Sequence, residues 1–528
     1  RDAINTFAPR AAYDASSAGA LKQTAAYLEL ALDNSPTQMT AERLDRMQRL
    51  AWVWYLIGDF HSAMKLQDQV LDQLVILGDI EAIGDCYRKL SRFHWGAGHG
   101  KLAREYIGKA HQTLANQRGP ELGWALSTMA QLNMLDYRYD EVAEYCAKAT
   151  QIAKEFNRPD IEVHAQNNLS MSLVLADPER GRDLMQQSLE TSLKLGDADN
   201  AGRAYTNGCY LELYRGKFKK ALEIALDGYA FSTSSEQDGY AGYQAGTVAL
   251  ILSELGQWDD SLEWAQRVLR EVSYGPDFKM GHAFPAASAM VRIAMRRGNA
   301  TGDETLAYLK KFAAGTEEMQ RRVVCADIDA ERAWYGLEDR SAAIATLKDI
   351  LGKLSAPSCI PDTLLWLRRL DPDAEIPMSD GLIEPVRLQI AGKWQEAAQI
   401  WKNEGSPFRA AFALAEGDAP ARAQAVEILT NLGADATRDA VLRDAQRDGV
   451  ALNVRQARQS TRAHPAGLTK RQMSVLEALN EGLSNAEIGD TLFISPNTVD
   501  HHVSAILAKL EVGSRGEAAA KARDAGWV

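Results

Sequence analysis

The stretch Leu56-Ile57-Gly58-Asp59-Phe60, followed by Ala63, decides the fold because its pattern returns along most of the chain. A turn-forming residue precedes an aromatic or apolar one, and a small residue follows within one helical turn. The copies place small residues at positions 63, 103, 143, 221 and 261, which are 40, 40, 78 and 40 residues apart. Further copies, the first of them weak, lie at 177–181, 298, 336 and 391–394. The chain therefore contains an internal repeat close to 40 residues long.

Apolar residues between these turns fall at helical intervals, which indicates that each repeat is a pair of antiparallel helices. One pair cannot bury its own apolar face, so stacked pairs build a continuous core. The turn, aromatic and small residues resemble the signature of tetratricopeptide repeats in a longer unit, and HEAT-like pairs are the alternative. We predict an all-α protein in which residues 1–439 form a tetratricopeptide-like α-solenoid for sensing or interaction.

The first helix of each pair lines the concave face of such a solenoid, where ligands bind. Two rows that follow the repeat, four residues apart, share one face of these helices. They are either ordinary solvated positions of helices whose other face is core, or the lining of an effector groove. The candidate effector-binding residues from these rows are Arg88, Trp124, His164, Asn168, Arg203, Asn207 and Tyr243.

Composition limits the classes of function. The 528 residues contain 59 Lys and Arg against 71 Asp and Glu, a net charge of −12, which argues against a surface that binds nucleic acid throughout. The five cysteines are scattered and never form a CxxC pair, so buried thiols are expected, and no metal site is predicted. The sequence has no long apolar run and no secretory leader, so we expect a soluble, cytoplasmic protein without a membrane partner.

The composition changes after Asp439. Residues 440–465 contain five arginines and end in His464-Pro465, which predicts a short helix followed by a basic linker. Four short helices follow, and each has its own start signal. These signals are Thr469-x-x-Gln472, Ser484-x-x-Glu487, Ser495-Pro496 and Ser514-x-x-Glu517.

The second and third of these helices are separated only by Phe493-Ile494-Ser495-Pro496, a connection short enough for a helix-turn-helix. The third helix is then the recognition helix, with Val499, Val503, Ile506 and Leu510 on its inner face. Asn497, Asp500, His501 and Ser504 share its outer face and can reach base edges in the major groove.

Three motifs carry a family resemblance: Gly482-Leu483-Ser484-Asn485-x-Glu487-Ile488, Thr498-Val499-x-x-His502-Val503 and Ile506-Leu507-x-Lys509-Leu510. With Leu468-Thr469-x-Arg471 they closely resemble the LuxR/GerE-type helix-turn-helix. The resemblance implies that residues 466–528 form a four-helix domain that binds double-stranded DNA at promoter half-sites.

In that family, positions near the start of the recognition helix contact base edges, which implies this role for Asp500, His501 and Ser504. Ser484, Asn485, Thr498, Lys509 and Arg515 suit phosphates, because helix N-termini and cations favour anions. From Pro465 onward, six Lys and Arg face eight Asp and Glu, a net charge of −2. We therefore predict that two copies bind together, through the fourth helix at 517–525, which is rich in small residues.

A repeat array followed by such a module also resembles the large ATP-binding (MalT-like) regulators of the LuxR family, in which a nucleotide-binding domain precedes the repeats. No G-x-x-x-x-G-K-[ST] motif occurs here, so we expect no cofactor in this chain. Either a nucleotide-binding domain lies upstream of Arg1, which the missing methionine favours, or this is a regulator without one, so ATP is expected only through such an upstream domain.

These features predict a bacterial transcriptional regulator in which the array senses an effector or partner and controls the DNA-binding module. The alternative is a tetratricopeptide-type interaction scaffold with a secondary DNA-binding module. The sequence shows no nucleophile–base pair, so we predict no catalytic residues and no enzyme activity.

Overall fold

The computed structural model describes residues 2–270, 280–299, 302–377, 381–452, 466, 468, 470–492 and 496–528. Within these ranges the chain forms 28 α-helices and no strand, which confirms the predicted all-α class. It divides into two compact units, Arg1–Leu452 and Asn453–Val528, and each is described by itself.

The first unit is an array of helices in which each helix packs against its neighbours in the chain. A short 3-10 turn, Pro357–Cys359, precedes the nineteenth helix. Helices α1 to α24 are, in order, Asp2–Ser17, Leu21–Asn34, Ala41–Leu56, Phe60–Leu77, Ile80–Gly96, Gly100–Leu114, Pro120–Leu135, Tyr139–Glu155, Pro159–Ser172, Pro178–Leu195, Ala198–Tyr214, Phe218–Ser234, Asp238–Glu254, Trp258–Arg270, Met280–Arg296, Asp303–Thr316, Met319–Tyr335, Arg340–Gly352, Pro361–Leu370, Glu384–Ile390, Trp394–Asn403, Pro407–Leu414, Ala419–Leu432 and Asp435–Arg447.

The predicted turns lie between the two helices of a pair. Gly58 and Gly98, which follow α3 and α5, have φ values of 84° and 83°, in the left-handed region that favours glycine. Gly98 is further constrained because a Cβ atom there would lie 2.5 Å from the Phe312 ring. The left-handed backbone of these turns requires glycine locally, so the sequence predicts where the turns lie.

A buried residue in the first turn of each second helix sets the repeat length. These residues share the fourth helical position and are spaced 40, 39, 39, 40 and 40 residues apart; they are Ala63, Ala103, Val142, Gly181, Ala221 and Ser261. Ala143, which the sequence pattern placed in this row, is exposed. That assignment was wrong by one residue because α8 begins at Tyr139, one residue earlier than a strict 40-residue period requires.

Repeats far apart in sequence contact each other. The ring of Phe60 packs edge-on against that of His282, with centroids 5.2 Å apart. Phe218 stacks on Trp401 at 5.9 Å. Near the start of the array, Lys22 Nζ lies 3.0 Å from Asp238 Oδ2. These contacts join repeats of the array that are distant in sequence.

The array ends later than the sequence predicted. Helix α24 runs to Arg447, so residues 440–447 of the predicted linker belong to the array. Its buried face includes Val441 and Ala445, and Asp444 accepts a hydrogen bond of 2.8 Å from Trp334 Nε1. Residues 453–465 of the predicted linker lie outside the described residues.

The second unit contains four short helices, as predicted. Helices α25 to α28 are Lys470–Asn480, Asn485–Leu492, Pro496–Leu510 and Arg515–Asp524. Predicted core positions are buried together, among them Val475, Ile488, Val499, Ile506 and Leu510. The start signals at Thr469 and Ser495 lie outside the described residues.

The five cysteines are free and buried, in agreement with the sequence. Burial raises the pKa of Cys86 and of Cys146 to about 12, which keeps both thiols protonated. In the described part of the chain, every helix is too short or too polar to cross a membrane.

Candidate functional site

The start of α26 is fixed by the predicted capping box. The Ser484 backbone N–H donates to Glu487 Oε2 at 2.8 Å, and the Glu487 N–H donates to Ser484 Oγ at 3.3 Å. These bonds satisfy two amide groups that a helix start leaves free, and they lower the pKa of Glu487. At Ser514 only the first half of the predicted box is formed: Ser514 Oγ accepts from the Glu517 N–H, whereas the Glu517 carboxylate accepts from the Gly513 N–H at 2.8 Å.

Asn485 joins the starts of three segments in the second unit. Its Nδ2 donates to Asp500 Oδ1 at 3.3 Å, and its Oδ1 accepts from Arg515 Nη1 at 3.5 Å. Arg515 also donates to the Leu483 carbonyl. Three of the predicted DNA-binding residues are therefore in one hydrogen-bonded string at the start of α26.

The recognition helix α27 separates its inner and outer faces as predicted. Val499 and Val503 are buried, whereas Asp500 and Ser504 are exposed. Thr498 is half-buried. The side chains of Asn497 and His501, also predicted to contact DNA, lie outside the described residues.

Several cations of this unit hold its helices together through uncharged oxygens. Lys509 Nζ donates to Gln472 Oε1 at 2.8 Å, and Lys521 Nζ donates to the Leu510 carbonyl at 2.7 Å. Arg523 donates to Asn480 Oδ1 at 2.5 Å. Each of these bonds joins two helices of the unit through an oxygen that carries no charge.

The small residues of α28 do not form a free face. Ala518, Ala519 and Ala522 are buried against the rest of the unit, where small side chains let α28 approach α25. Burial of these three alanines takes them out of the predicted dimer face, which stays a prediction. The exposed positions of α28 include the charged Arg515 and Glu517 and also Gly516.

Comparison with known proteins assigns this unit. Residues 466–522 match the family described as bacterial regulatory proteins, LuxR family. The second unit contains a LuxR-family helix-turn-helix domain. Over 61 residues the chain is 44% identical to the transcriptional regulatory protein DegU of Brevibacillus brevis, covering 12% of this chain and 26% of that protein. Over 52 residues it is 48% identical to LiaR of Bacillus subtilis, covering 10% and 25%. The chain thus spans about a quarter of the length of these curated relatives.

Solved structures resemble the array only loosely. A Rap protein complexed with competence and sporulation factor aligns over 70% of this chain and 97% of its own, at 13% identity and a TM-score of 0.43. The tetratricopeptide domain of P58(IPK) covers 76% of this chain and 99% of its own, at 12% identity and a TM-score of 0.20. The tetratricopeptide-like character of the array, upstream of the LuxR-type domain, therefore rests on its own helix pairs and repeat length.

The predicted effector row forms a continuous chain of contacts inside the array. The Arg88 guanidinium carbon lies 5.0 Å from the centroid of the Trp124 ring. That ring packs edge-on against His164, with centroids 5.1 Å apart. Asn168, one turn beyond His164, accepts a hydrogen bond of 2.8 Å from Arg203 Nη2. The repeat spacing thus identified side chains that meet.

The solvated interpretation of this row is wrong. Arg88, His164, Asn168 and Arg203 are buried, because the first helices of the pairs close around them. His164 Nδ1 lies 2.6 Å from Ser127 Oγ. Burial, together with the positive charges of three nearby arginines, lowers the pKa of His164 well below its usual range, so the ring is neutral.

Two cavities adjoin this row. Arg203, Asn207 and Tyr243 line a cavity of about 110 Å³ whose walls include seven tyrosines. Arg88 and Trp124 line a separate, more polar cavity of about 450 Å³. The predicted residues are therefore divided between two openings, with His164 and Asn168 buried between them.

Arg92, which the sequence analysis missed, is the hub of this interior. Its guanidinium donates to Gln131 Oε1 and to the Tyr55 hydroxyl, both at 2.6 Å. Asp199 Oδ1 lies 3.6 Å from Arg92 Nη2 and accepts a 2.7 Å hydrogen bond from the Tyr240 hydroxyl. Burial raises the pKa of Tyr55 to about 12, so its hydroxyl stays protonated.

A signal for these missed residues was present. One helical turn beyond the two predicted rows lies a third, spaced 39, 40 and 39 residues apart: Arg92, Gln131, Met171 and Tyr210. Its last three members line the cavity beside Arg203. A further step of three or four residues along the same face would have found it.

Proposed function

We propose that this chain is a bacterial transcriptional regulator whose LuxR-type domain binds double-stranded DNA as a homodimer. The proposal is carried by the match of residues 466–522 to the LuxR family, together with the exposed outer face of α27. The net charge of −2 on this domain favours two copies on paired half-sites, because phosphate contacts supply most of the affinity. The cytoplasm is the compartment that this function requires.

We propose further that the array senses an effector in its interior and controls the DNA-binding domain. Buried polar side chains from successive repeats and the adjoining aromatic cavity support this role, since ligand pockets combine apolar walls with a few polar groups. The chain acts here by binding alone. We include an upstream ATP-binding domain in this proposal. Turnover of ATP by this chain itself would contradict the proposal that it acts by binding alone.

The test of DNA binding uses the full chain and duplexes selected by it from a random-sequence pool. Fluorescence anisotropy should show that Ser504→Ala with Asp500→Asn weakens binding roughly tenfold or more, because each base contact contributes about 1–3 kcal/mol of discrimination. Asp524→Asn, an exposed change on α28, is the matched control and should bind as the wild type does. Failure of the full chain to enrich any duplex would support the scaffold alternative instead.

A further inference from the structure

Arg203 is a buried cation without a charged partner. Its side chain is 4% exposed, and Nη1 has no hydrogen-bond partner within the described residues. Nη2 donates to the neutral amide oxygen of Asn168. Burial and the charge of Arg92 lower the pKa of Arg203, although the charge of Asp199 acts in the opposite direction.

The neighbouring interior cations differ from Arg203 in this respect. Arg88 lies 2.7 Å from Asp85, and Arg92 lies 3.6 Å from Asp199. Arg321, on the far wall of the same cavity, pairs with Glu318 at 2.7 Å. Because a buried charge needs a counter-charge, Arg203 is the place in this cavity where an anion is missing.

The walls around Arg203 define the rest of the ligand. Seven of the lining residues are tyrosines, and the Tyr243 hydroxyl donates to the Tyr210 hydroxyl at 3.1 Å. The volume of about 110 Å³ is of the order of the dry cavity of about 150 Å³ known to admit benzene. This volume limits the ligand to a single ring.

We propose that this cavity binds a monocyclic aromatic carboxylate of the benzoate class, with the carboxylate on Arg203 and the ring among the tyrosines. Guanidinium and carboxylate form the charge-assisted pair that Arg203 lacks, and ring–ring contacts add specificity. This assignment names the effector class of the proposed function and rests on it.

Calorimetric titration of the full chain with sodium benzoate and with benzamide tests the assignment. Benzamide keeps the ring and the shape but carries no charge, so it should bind at least roughly tenfold more weakly. Arg203→Met should abolish the preference for benzoate. Arg182→Met, at an exposed arginine of the same array, should leave it unchanged.

Three results would overturn the proposal: no binding of benzoate, equal binding of benzoate and benzamide, or an unchanged preference in the Arg203→Met variant. If that variant does not fold, Arg203→Lys must still prefer benzoate, with lower affinity than the wild type. The titration measures ligand binding without DNA, so its result does not depend on whether the chain binds DNA. Benzoate that binds here but leaves the affinity for selected duplexes unchanged would contradict the sensing proposal and keep the ligand class.

Discussion

At the scale of single residues, His164 shows what closure of the array does to one side chain. It is 2% exposed, and its pKa is held well below the ordinary histidine value by burial and by Arg203, Arg92 and Arg88. At low pH His164 therefore binds a proton in the unfolded chain but stays neutral in the folded chain. As the pH falls below the unfolded value of about 6.5, this group must lower the free energy of unfolding.

His164→Gln is expected to reduce this pH dependence. Between pH 6.5 and 5 the wild type should lose up to about 1.4 kcal/mol per pH unit through this group, a contribution that glutamine lacks. Melting temperatures of the full chain over this range measure the effect. His61→Gln changes an exposed histidine and should keep the wild-type slope. Parallel slopes for His164→Gln and the wild type would show that His164 is not held neutral.

At the scale of elements, the sequence predicted what depends on local chemistry. Turn glycines such as Gly58 and capping boxes such as the one at Ser484 depend on interactions within a few residues, so the sequence predicts helix starts and helix pairs. Burial of the inner face was not readable, because it depends on contacts such as that between Phe60 and His282 in separate repeats. No local sequence pattern indicates which distant repeats contact each other.

Ser484→Ala is expected to destabilise the start of α26. Loss of the cap should cost about 1 kcal/mol, because the Glu487 amide loses its acceptor. Hydrogen exchange of the full chain should show faster exchange for amides of α26. Ser504→Ala, at an exposed serine inside α27, should leave α26 exchange unchanged while weakening DNA binding. Equal exchange in both variants would mean that the capping box contributes little to stability.

At the scale of the whole molecule, long-range bonds decide whether the array behaves as a row of independent repeats. An open solenoid is stabilised only by neighbours, and its repeats can unfold in succession. Here Arg409 donates to Glu254 Oε2 at 2.6 Å and to both oxygens of Asp362 at 2.6 and 2.8 Å. One side chain thus joins α22 to α13 and α19, so these segments should unfold together.

Arg409→Ala removes that link and leaves Glu254, which is 5% exposed, without its hydrogen-bonded cation. We expect the free energy of unfolding to fall by about 3–5 kcal/mol, because removing one partner of a buried ion pair is strongly destabilising. The thermal transition of the array should also split into two, since the segments that Arg409 joins can then unfold separately. Differential scanning calorimetry of the full chain measures both. Arg267→Ala breaks an ion pair within a single helix and should preserve one transition. If the Arg409→Ala variant shows a single transition at a lower temperature, the cooperativity of the array comes from its apolar contacts instead.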